Sequence, residues 1–416
     1  MMLIVQKYGG TSVGSLDLIR RVAEKVSAVR RSGTHVVVVV SAMGDSTDRL
    51  VDLARGLCEE PDSREMDVLL SSGEQVSIAL LCIALRAQGC PAKSYTGGQV
   101  RVLTTSVHSR ARIEQVETER LRADIAQGIV PVVAGFQGVD AAGNITTIGR
   151  GGSDTSAVAL AVALEADECQ ILTDVDGVYT TDPRMVPTAR RLERVTFDEM
   201  LELAGQGSRV LHLRSVEFAS KYNVPLRVAS SFGTGPGTLI CREEPRVEAP
   251  VVSGIAFNRD EAEITVAGVP DVPGTAFRLL EPVSQANIEI DMIVMNAPRA
   301  GKVDLSFTVH RDDYATALRL AKSAAGAFQG AEVAGNDRVA KLSVVGVGMR
   351  SHAGVATRLF ATLAGQSINV RMVSTSEIKI SVLVDEQALE KGVRALHAAF
   401  GLEHPQTAGI APQTVK

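Results

Sequence analysis

Lys7-Tyr8-Gly9-Gly10-Thr11-Ser12 decides how the rest of the chain is read. The apolar run Leu3-Ile4-Val5 before it has the character of a buried strand, and Leu16 to Arg31 after it carries apolar residues at helical spacing. A strand that breaks at paired glycines and reopens as a helix presents backbone N–H groups that attract anions, phosphate above all. Lys7 stands just before the turn, where its ammonium reaches the same anion. The Walker loop has its lysine after the glycines, so this is a different phosphate corner. The plainer alternative is a structural strand–turn–helix corner.

The chain has 416 residues, room for two to four domains at ~100–200 residues each. Aliphatic residues are abundant and Trp is absent, which suits Val/Ile-rich strands under Ala/Leu-rich helices. A net charge of -5, with no long basic stripe, argues against a nucleic-acid partner. Cys58, Cys82, Cys90, Cys169 and Cys241 form no metal-ligand spacing, and their odd number suits reduced thiols in a cytoplasmic protein. The N-terminus lacks the shape of a signal peptide, and no uninterrupted apolar run reaches the ~20 residues of a bilayer span, so no membrane partner is expected.

Val36 to Val40 is five consecutive valines, the mark of a central parallel strand covered on both faces. It runs into Ser41-Ala42-Met43-Gly44-Asp45-Ser46-Thr47-Asp48, where a ligand site falls in doubly wound sheets. Ser41 and Thr47 are ligand candidates there, although Ser46, Thr47 or Asp48 can equally cap the next helix. Ser71-Ser72-Gly73-Glu74-Gln75 precedes an apolar helix from Val76 to Arg86. Glu74 in its first turn either offsets the helix dipole or holds a substrate ammonium. Gly138 to Ile148 is a hairpin with Gly143-Asn144 at its turn. Gly149-Arg150-Gly151-Gly152-Ser153-Asp154 then opens an almost polar-free helix. This second glycine-rich entrance carries an arginine, the side chain that grips carboxylates in bidentate fashion. After a strand ending at Thr173, Asp174 to Arg184 is either a long turn or a nucleotide seat, with Tyr179 on the base and Arg184 near the phosphates.

From Val251 the composition shifts. Strand, helix, strand, strand, helix, strand follow in the ferredoxin-like order βαββαβ, and the pattern recurs about eighty residues later. Leu342 to Val347 matches Ile264 to Val269, Gly354 matches Gly274, and Ile368 to Val373 matches Ile288 to Ile293. The second copy lacks a closing strand, and Val251 to Phe257 is a spare β segment ahead of the first. The expected domains are 1–245, a first inserted repeat at 264–337, a second repeat made of 250–263 and 338–405, and a flexible tail at 406–416.

Taken in order, Lys7 to Ser12, Val40-Ser41-Ala42-Met43-Gly44, Ser72-Gly73-Glu74, Gly149 to Asp154 and Thr173-Asp174-Val175-Asp176-Gly177-Val178-Tyr179 resemble the aspartate kinases over essentially the whole chain. The repeated half resembles tandem ACT domains, which sense amino acids. The resemblance implies an α/β fold: an αβα sandwich amino-acid-kinase domain with a mainly parallel sheet, followed by two ACT domains. It implies transfer of the γ-phosphoryl of ATP, as its Mg2+ complex, to the β-carboxylate of L-aspartate, the first step toward lysine, threonine and methionine. Lys7 and Asp154 would be catalytic. Lys7, Tyr8, Gly9, Gly10, Ser41, Thr173, Asp174, Tyr179, Arg184 and Arg209 would bind ATP. Ser41, Thr47, Glu74, Arg150, Gly151, Gly152 and Ser153 would bind aspartate. No protein metal site is expected, because Mg2+ is held mainly by the nucleotide.

One departure concerns Arg209-Val210-Leu211-His212-Leu213, where relatives usually carry lysine first and proline last. Arginine keeps the charge and changes its reach. The ACT pair implies feedback inhibition by lysine, threonine or both, with Asp271, Gly274, Asp291, Ser351, Gly354, Asn369, Ser376 and Glu377 as effector positions. It also implies a homo-oligomer, or a hetero-oligomer with a C-terminal subunit made separately from an internal start near position 251. The rival functions are acetylglutamate, glutamate or UMP kinase on the same fold, and a non-catalytic amino-acid sensor.

Overall fold

The computed structural model describes residues 2–205, 210–242, 252–347, 349 and 354–404. Arg209, Ser351 and the tail 406–416 lie outside the described residues. The chain divides into two compact units: Met1–Val178, Arg191–Ala204 and Arg209–Pro245 in one, and Tyr179–Arg190, Gly205–Ser208 and Arg246–Lys416 in the other.

The first unit contains, in chain order, β1 (Leu3–Tyr8), α1 (Leu16–Arg31), β2 (His35–Val40), α2 (Ser46–Arg55), α3 (Ser63–Ala87), β3 (Ala92–Tyr95), β4 (Val102–Thr104), β5 (Ile113–Val116), α4 (Glu119–Ala126), β6 (Val130–Ala134), β7 (Gln137–Val139), β8 (Ile145–Thr147), α5 (Gly152–Leu164), β9 (Glu168–Thr173), β10 (Arg194–Thr196), α6 (Phe197–Gly205), α7 (Leu213–Tyr222), β11 (Leu226–Ser230) and β12 (Thr238–Cys241). Eight strands form the main sheet in the order β10-β12-β11-β9-β1-β2-β6-β3. From β11 to β3 every neighbouring pair is parallel, and β12 runs antiparallel to β11. The carboxyl ends of β9, β1, β2 and β6 therefore share one edge.

Strand periodicity sets the faces of this sheet. Ile4 and Tyr8 of β1, with Val36, Val38 and Val40 of β2, pack on one side in a core with Ile19, Val22 and Val26 of α1 and Ile78, Leu81 and Leu85 of α3. Val5 and Lys7 point to the other side, where α5 crosses β1, β2 and β9. The strand β2 is buried from Val36 to Val40 because it lies inside the sheet and is covered on both faces. The hairpin β7–β8 belongs to a second, four-stranded sheet, β5-β4-β7-β8.

The helix α3 runs unbroken for 25 residues, so Glu74 sits well inside it and not in a first turn. Its true start is capped by Asp62, whose side chain accepts from the N–H groups of Arg64 and Glu65. Ser71-Ser72-Gly73 looks like a break in the sequence, but a Cβ on Gly73 would stand 2.8 Å from the Ala42 methyl, so the glycine serves packing. By length and composition α3 passes for a membrane-spanning helix. It packs against α1, β3 and β6 and buries Asp67 and Glu74, as a core helix can.

The second unit contains β13 (Gly254–Pro270), α8 (Thr275–Gln285), β14 (Ile290–Met295), β15 (Lys302–His310), α9 (Tyr314–Ala325), β16 (Glu332–Val345), α10 (Val355–Gly365), β17 (Met372–Thr375), β18 (Lys379–Asp385) and α11 (Leu389–Ala399). The strand order is β14-β15-β13-β16-β18-β17. Two long strands are shared between the repeats. Glu263–Ala267 of β13 pairs with Glu332–Asn336 of β16 to close the first copy, and Gly254–Asn258 pairs with Lys341–Val345 to close the second. The expected strand at Ile368 to Val373 begins only at Met372. The excursion Tyr179–Arg190, expected with the first domain, packs here: Met185 and Val186 are buried with Val344, Leu389 and Leu396, and Thr180 Oγ1 lies 2.9 Å from His397 Nε2.

Candidate active site

Both glycine-rich entrances meet at one ion pair. Lys7 lies on the face of β1 that looks toward α5, and Asp154 is in the first turn of α5. The Lys7 Nζ is 2.6 Å from Asp154 Oδ1, with the two side chains only 11% and 13% exposed. A pair this dry is stronger than a surface pair, and its members are held in place by the sheet and helix that carry them. Lysine has three N–H donors, so one carboxylate contact leaves capacity for an anion.

The first corner differs in detail from a strand running straight into a helix. A short 3-10 turn, Gly10–Val13, follows β1, and α1 begins only after Ser15, whose side chain caps it by accepting from the Leu18 N–H. The Gly9 N–H donates to Leu172 O at 3.2 Å, extending the β1–β9 pairing by one residue, so it is not available to a phosphate. Gly10 is required by close approach: a Cβ there would stand 2.8 Å from Ala42 O. The Gly44 N–H donates to Gly10 O and the Ser41 N–H to Tyr8 O, which ties the loop after β2 to the corner. Ser41 and Thr47 are half-buried on that loop and the following turn of α2. Tyr8 is fully buried, and its hydroxyl donates to Gln6 Oε1.

Glu74 reaches the same loop from α3. Its Oε1 accepts from the Ala42 N–H at 3.0 Å, and its buried Oε2 has no hydrogen-bond partner among the described residues. Burial pushes its carboxyl up to about 7, with the Ala42 amide pulling the other way. A buried carboxylate oxygen without a donor is costly, and an ammonium arriving beside it relieves that cost.

The second entrance is built around Gly151, the left-handed N-cap of α5 at φ +69°. A Cβ there would overlap the His212 ring, so only glycine fits. Arg150 is exposed on the turn and makes no ion pair among the described residues. Ser153 is buried against Gly135 at the end of β6.

Thr173 and Asp174 end β9 beside β1, and Thr173 Oγ1 donates to Asp174 Oδ1. Tyr179 and Arg184 belong to the second unit, where Arg184 is paired with Asp182 at 2.9 Å and largely exposed. Among the effector positions, Gly274 and Gly354 are the left-handed N-caps of α8 and α10, at φ +93° and +108°. Asp271 and Asn369 are exposed. Ser376 accepts from the N–H groups of Ile378 and Lys379 in the β17–β18 turn, where Glu377 is exposed. Asp291 is already paired with the ammonium of Lys341, which also lies 3.0 Å from Glu261. No cluster of three or more His, Cys, Asp or Glu side chains suited to a metal occurs among the described residues.

Sequence reasoning missed two contacts at this edge of the sheet. Ser12 Oγ donates to Ser231 Oγ at 2.8 Å, across most of the first unit's sequence. Asp67 is fully buried and gathers donors from the loop after β4 and from the last residue of β8. No local pattern marks either, because the partners are far apart in the chain.

The chain thus carries a parallel-sheet edge with a lysine–aspartate pair and glycine-rich turns, and a ferredoxin-like repeat. The chain matches the amino acid kinase family over residues 2–230 and the ACT domain over residues 264–324 and 342–400. It is 60% identical over 411 residues to an aspartokinase of Pseudomonas aeruginosa, covering 98% of this chain and 100% of that one. It also resembles, at 26% identity and a TM-score of 0.77, the crystal structures of E. coli aspartokinase III. One of these holds aspartate and ADP (95% of this chain, 99% of that one) and the other lysine and aspartate (96% and 99%). The chain belongs to the aspartokinases of the amino acid kinase family.

Proposed function

We propose that this enzyme transfers the γ-phosphoryl group of MgATP to the β-carboxylate of L-aspartate, giving 4-phospho-L-aspartate and ADP, with inhibition by lysine acting through the ACT pair. The observation that carries this reading is the Lys7–Asp154 pair, which brings the two glycine-rich entrances to a single point. A β-carboxylate oxygen attacks the γ-phosphorus, and the bond from that phosphorus to the β,γ-bridging oxygen breaks. With an ordinary pKa of about 3.9, the nucleophile is anionic at neutral pH and needs no general base. The remaining task is positioning and charge neutralisation. Lys7, aimed by Asp154, offsets charge on the transferring group, and the Gly10 turn borders it. Arg150 takes the aspartate α-carboxylate, and the unpartnered Glu74 Oε2 takes its ammonium. Ser41, Thr47, Gly151, Gly152 and Ser153 border the substrate. Thr173 and Asp174 flank the nucleotide, and Tyr179, Arg184 and Arg209 are assigned to it from the sequence motif alone.

The lysine reading is supported by the lysine complex of E. coli aspartokinase III. Asp271, Gly274, Asp291, Ser351, Gly354, Asn369, Ser376 and Glu377 are the proposed effector positions, with threonine as a second effector. The product would feed formation of lysine, threonine and methionine. Association as a homo-oligomer, or with a separately made C-terminal subunit, belongs to the same reading, as does a cytoplasmic setting. The test is ADP release with aspartate, acetylglutamate, glutamate or UMP as acceptor, followed by lysine and threonine singly and together. Aspartate-dependent turnover reduced by lysine is expected. Turnover with UMP and none with aspartate reverses the assignment.

A further inference from the structure

The buried carboxylate of Asp67, in the second turn of α3, has no role in the chemistry above, and its surroundings are unusual. It is 0% exposed and pairs with no lysine or arginine among the described residues. Its oxygens accept from Thr147 Oγ1 at 2.5 Å and from the Ser109 N–H at 3.0 and 3.1 Å, and Oδ2 lies 2.7 Å from His108 Nδ1. Burying a carboxylate this way is costly unless several donors converge on it. Here every donor comes from one of two segments, the loop after β4 and the last residue of β8.

Those two segments frame the turn that carries Arg150. Thr147 is followed directly by Ile148, Gly149 and Arg150. The Ala111 N–H donates to Thr147 O, and the Arg214 guanidinium bridges Ile148 O and Ala111 O at 3.0 and 2.9 Å. Ser109, itself at φ +65°, presents its carbonyl only 3.0 Å from where a Cβ of Gly149 would stand. The loop is thus folded against the turn, and Asp67 is the common acceptor that fixes both.

We propose that Asp67, with His108 as its donor, is a positioning residue for Arg150: it sets the conformation of the Gly149–Gly151 turn and so the place of the arginine that grips the acceptor's carboxylate. This rests on the reading that Arg150 holds the aspartate α-carboxylate. It adds a buried anchor to a contact that is exposed on its own.

The test uses the full chain and four variants: Asp67→Asn, His108→Asn, Arg150→Lys and the double variant Asp67→Asn/Arg150→Lys. Asp67→Asn loses one strong acceptor, and KM for aspartate is expected to rise about tenfold or more, the scale of one charge-assisted hydrogen bond. KM for MgATP stays within about twofold, since a positioning effect is confined to one substrate. His108→Asn keeps a donor near the Nδ1 position and is expected to stay close to the parent. Arg150→Lys raises KM for aspartate, and adding Asp67→Asn to it adds little, because the two act through one contact. If Arg150→Lys leaves aspartate binding unchanged, the carboxylate-grip reading fails. If Arg150→Lys weakens aspartate but Asp67→Asn multiplies that loss in full, or raises both KM values together while lowering the melting temperature, only the positioning proposal is overturned.

Discussion

Two lysines, one in each unit, half-buried Lys7 and buried Lys341, are held by carboxylates, and their surroundings set them apart. Lys7 meets one carboxylate, Asp154, at the carboxyl edge of a parallel sheet, beside two glycine-rich turns. Lys341 meets two, Glu261 and Asp291, on a strand shared by both ACT repeats. The first pair is neutral, still somewhat accessible and has donors to spare. The second leaves one net negative charge, and Lys341 and Glu261 are each only 4% exposed. Burial pulls the Lys341 ammonium down, but the two carboxylates more than offset this and hold it above its ordinary value. Glu261 sits where the pairing of β13 with β16 shifts register, between the part of β13 that closes the second copy and the part that belongs to the first. On the proposed function the same side-chain chemistry would serve catalysis at Lys7, where one carboxylate leaves two donors open, and architecture at Lys341, where two carboxylates take two of the three.

The sharpest way to break this contrast is to remove each lysine. Lys7→Ala is expected to lower turnover by about a thousandfold or more, the scale of losing a group that stabilises transition-state charge, with a smaller loss of stability than the Lys341 variant even though Asp154 loses its partner. Unchanged turnover would remove Lys7 from the chemistry. Lys341→Met is expected to do the reverse, costing about 3–5 kcal/mol in urea unfolding because Glu261 is left buried and unpaired. Adding Glu261→Gln should recover part of that loss. If Lys341→Met instead abolishes turnover in a fully folded chain, the division between the two lysines does not hold.

Glu74→Gln sharpens the comparison from a third side. Aspartate binding is expected to weaken by about 1.5–3 kcal/mol, the worth of a hydrogen bond to a charged group, read as a rise in KM. Stability should move the other way. The Glu74 carboxyl is raised from 4.5 to about 7, so its favourable contribution is fully present below about 4.5 and lost as pH rises through about 7. At pH 8 the glutamine variant should therefore be more stable, by at most about 3 kcal/mol at 1.36 kcal/mol per pH unit. At pH 4 the difference should vanish. A constant difference across that range would mean that the Glu74 carboxyl is not raised in the folded chain. The smallest effect is expected for Asp291→Asn, whose side chain is 38% exposed: about 1 kcal/mol or less in stability. Lysine should inhibit this variant less strongly if Asp291 takes part in effector binding, and an unchanged inhibition curve removes it from that role.

Much of the architecture could be read from the chain. The helix Leu16–Arg31, the buried valine strand and the ferredoxin-like repeat follow from apolar periodicity, and β13 and β16 pair as the strand count requires. Glu74 was misplaced relative to its helix because Ser71-Ser72-Gly73 has the composition of a break, while the contact of Gly73 with Ala42 that overrides it is a tertiary fact. Within the candidate site, the Lys7–Asp154 pair joins two residues that local motifs single out separately. The local motif does not show that the Gly9 amide is already used, because its partner, Leu172, is on a strand far along the chain. Asp291 looked open to an effector for the same reason, since the strand bearing Lys341 lies in the other repeat.

By itself the sequence determined the fold class, the doubled C-terminal module and the residue types that grasp anions, since these depend on periodicity and on chemistry within a few residues. Only the tertiary structure decided which charges are paired, which donors are already used and which carboxylates are buried. Those depend on segments brought together across the sheet, and the energy of a charge is set by its surroundings more than by its neighbours in the chain.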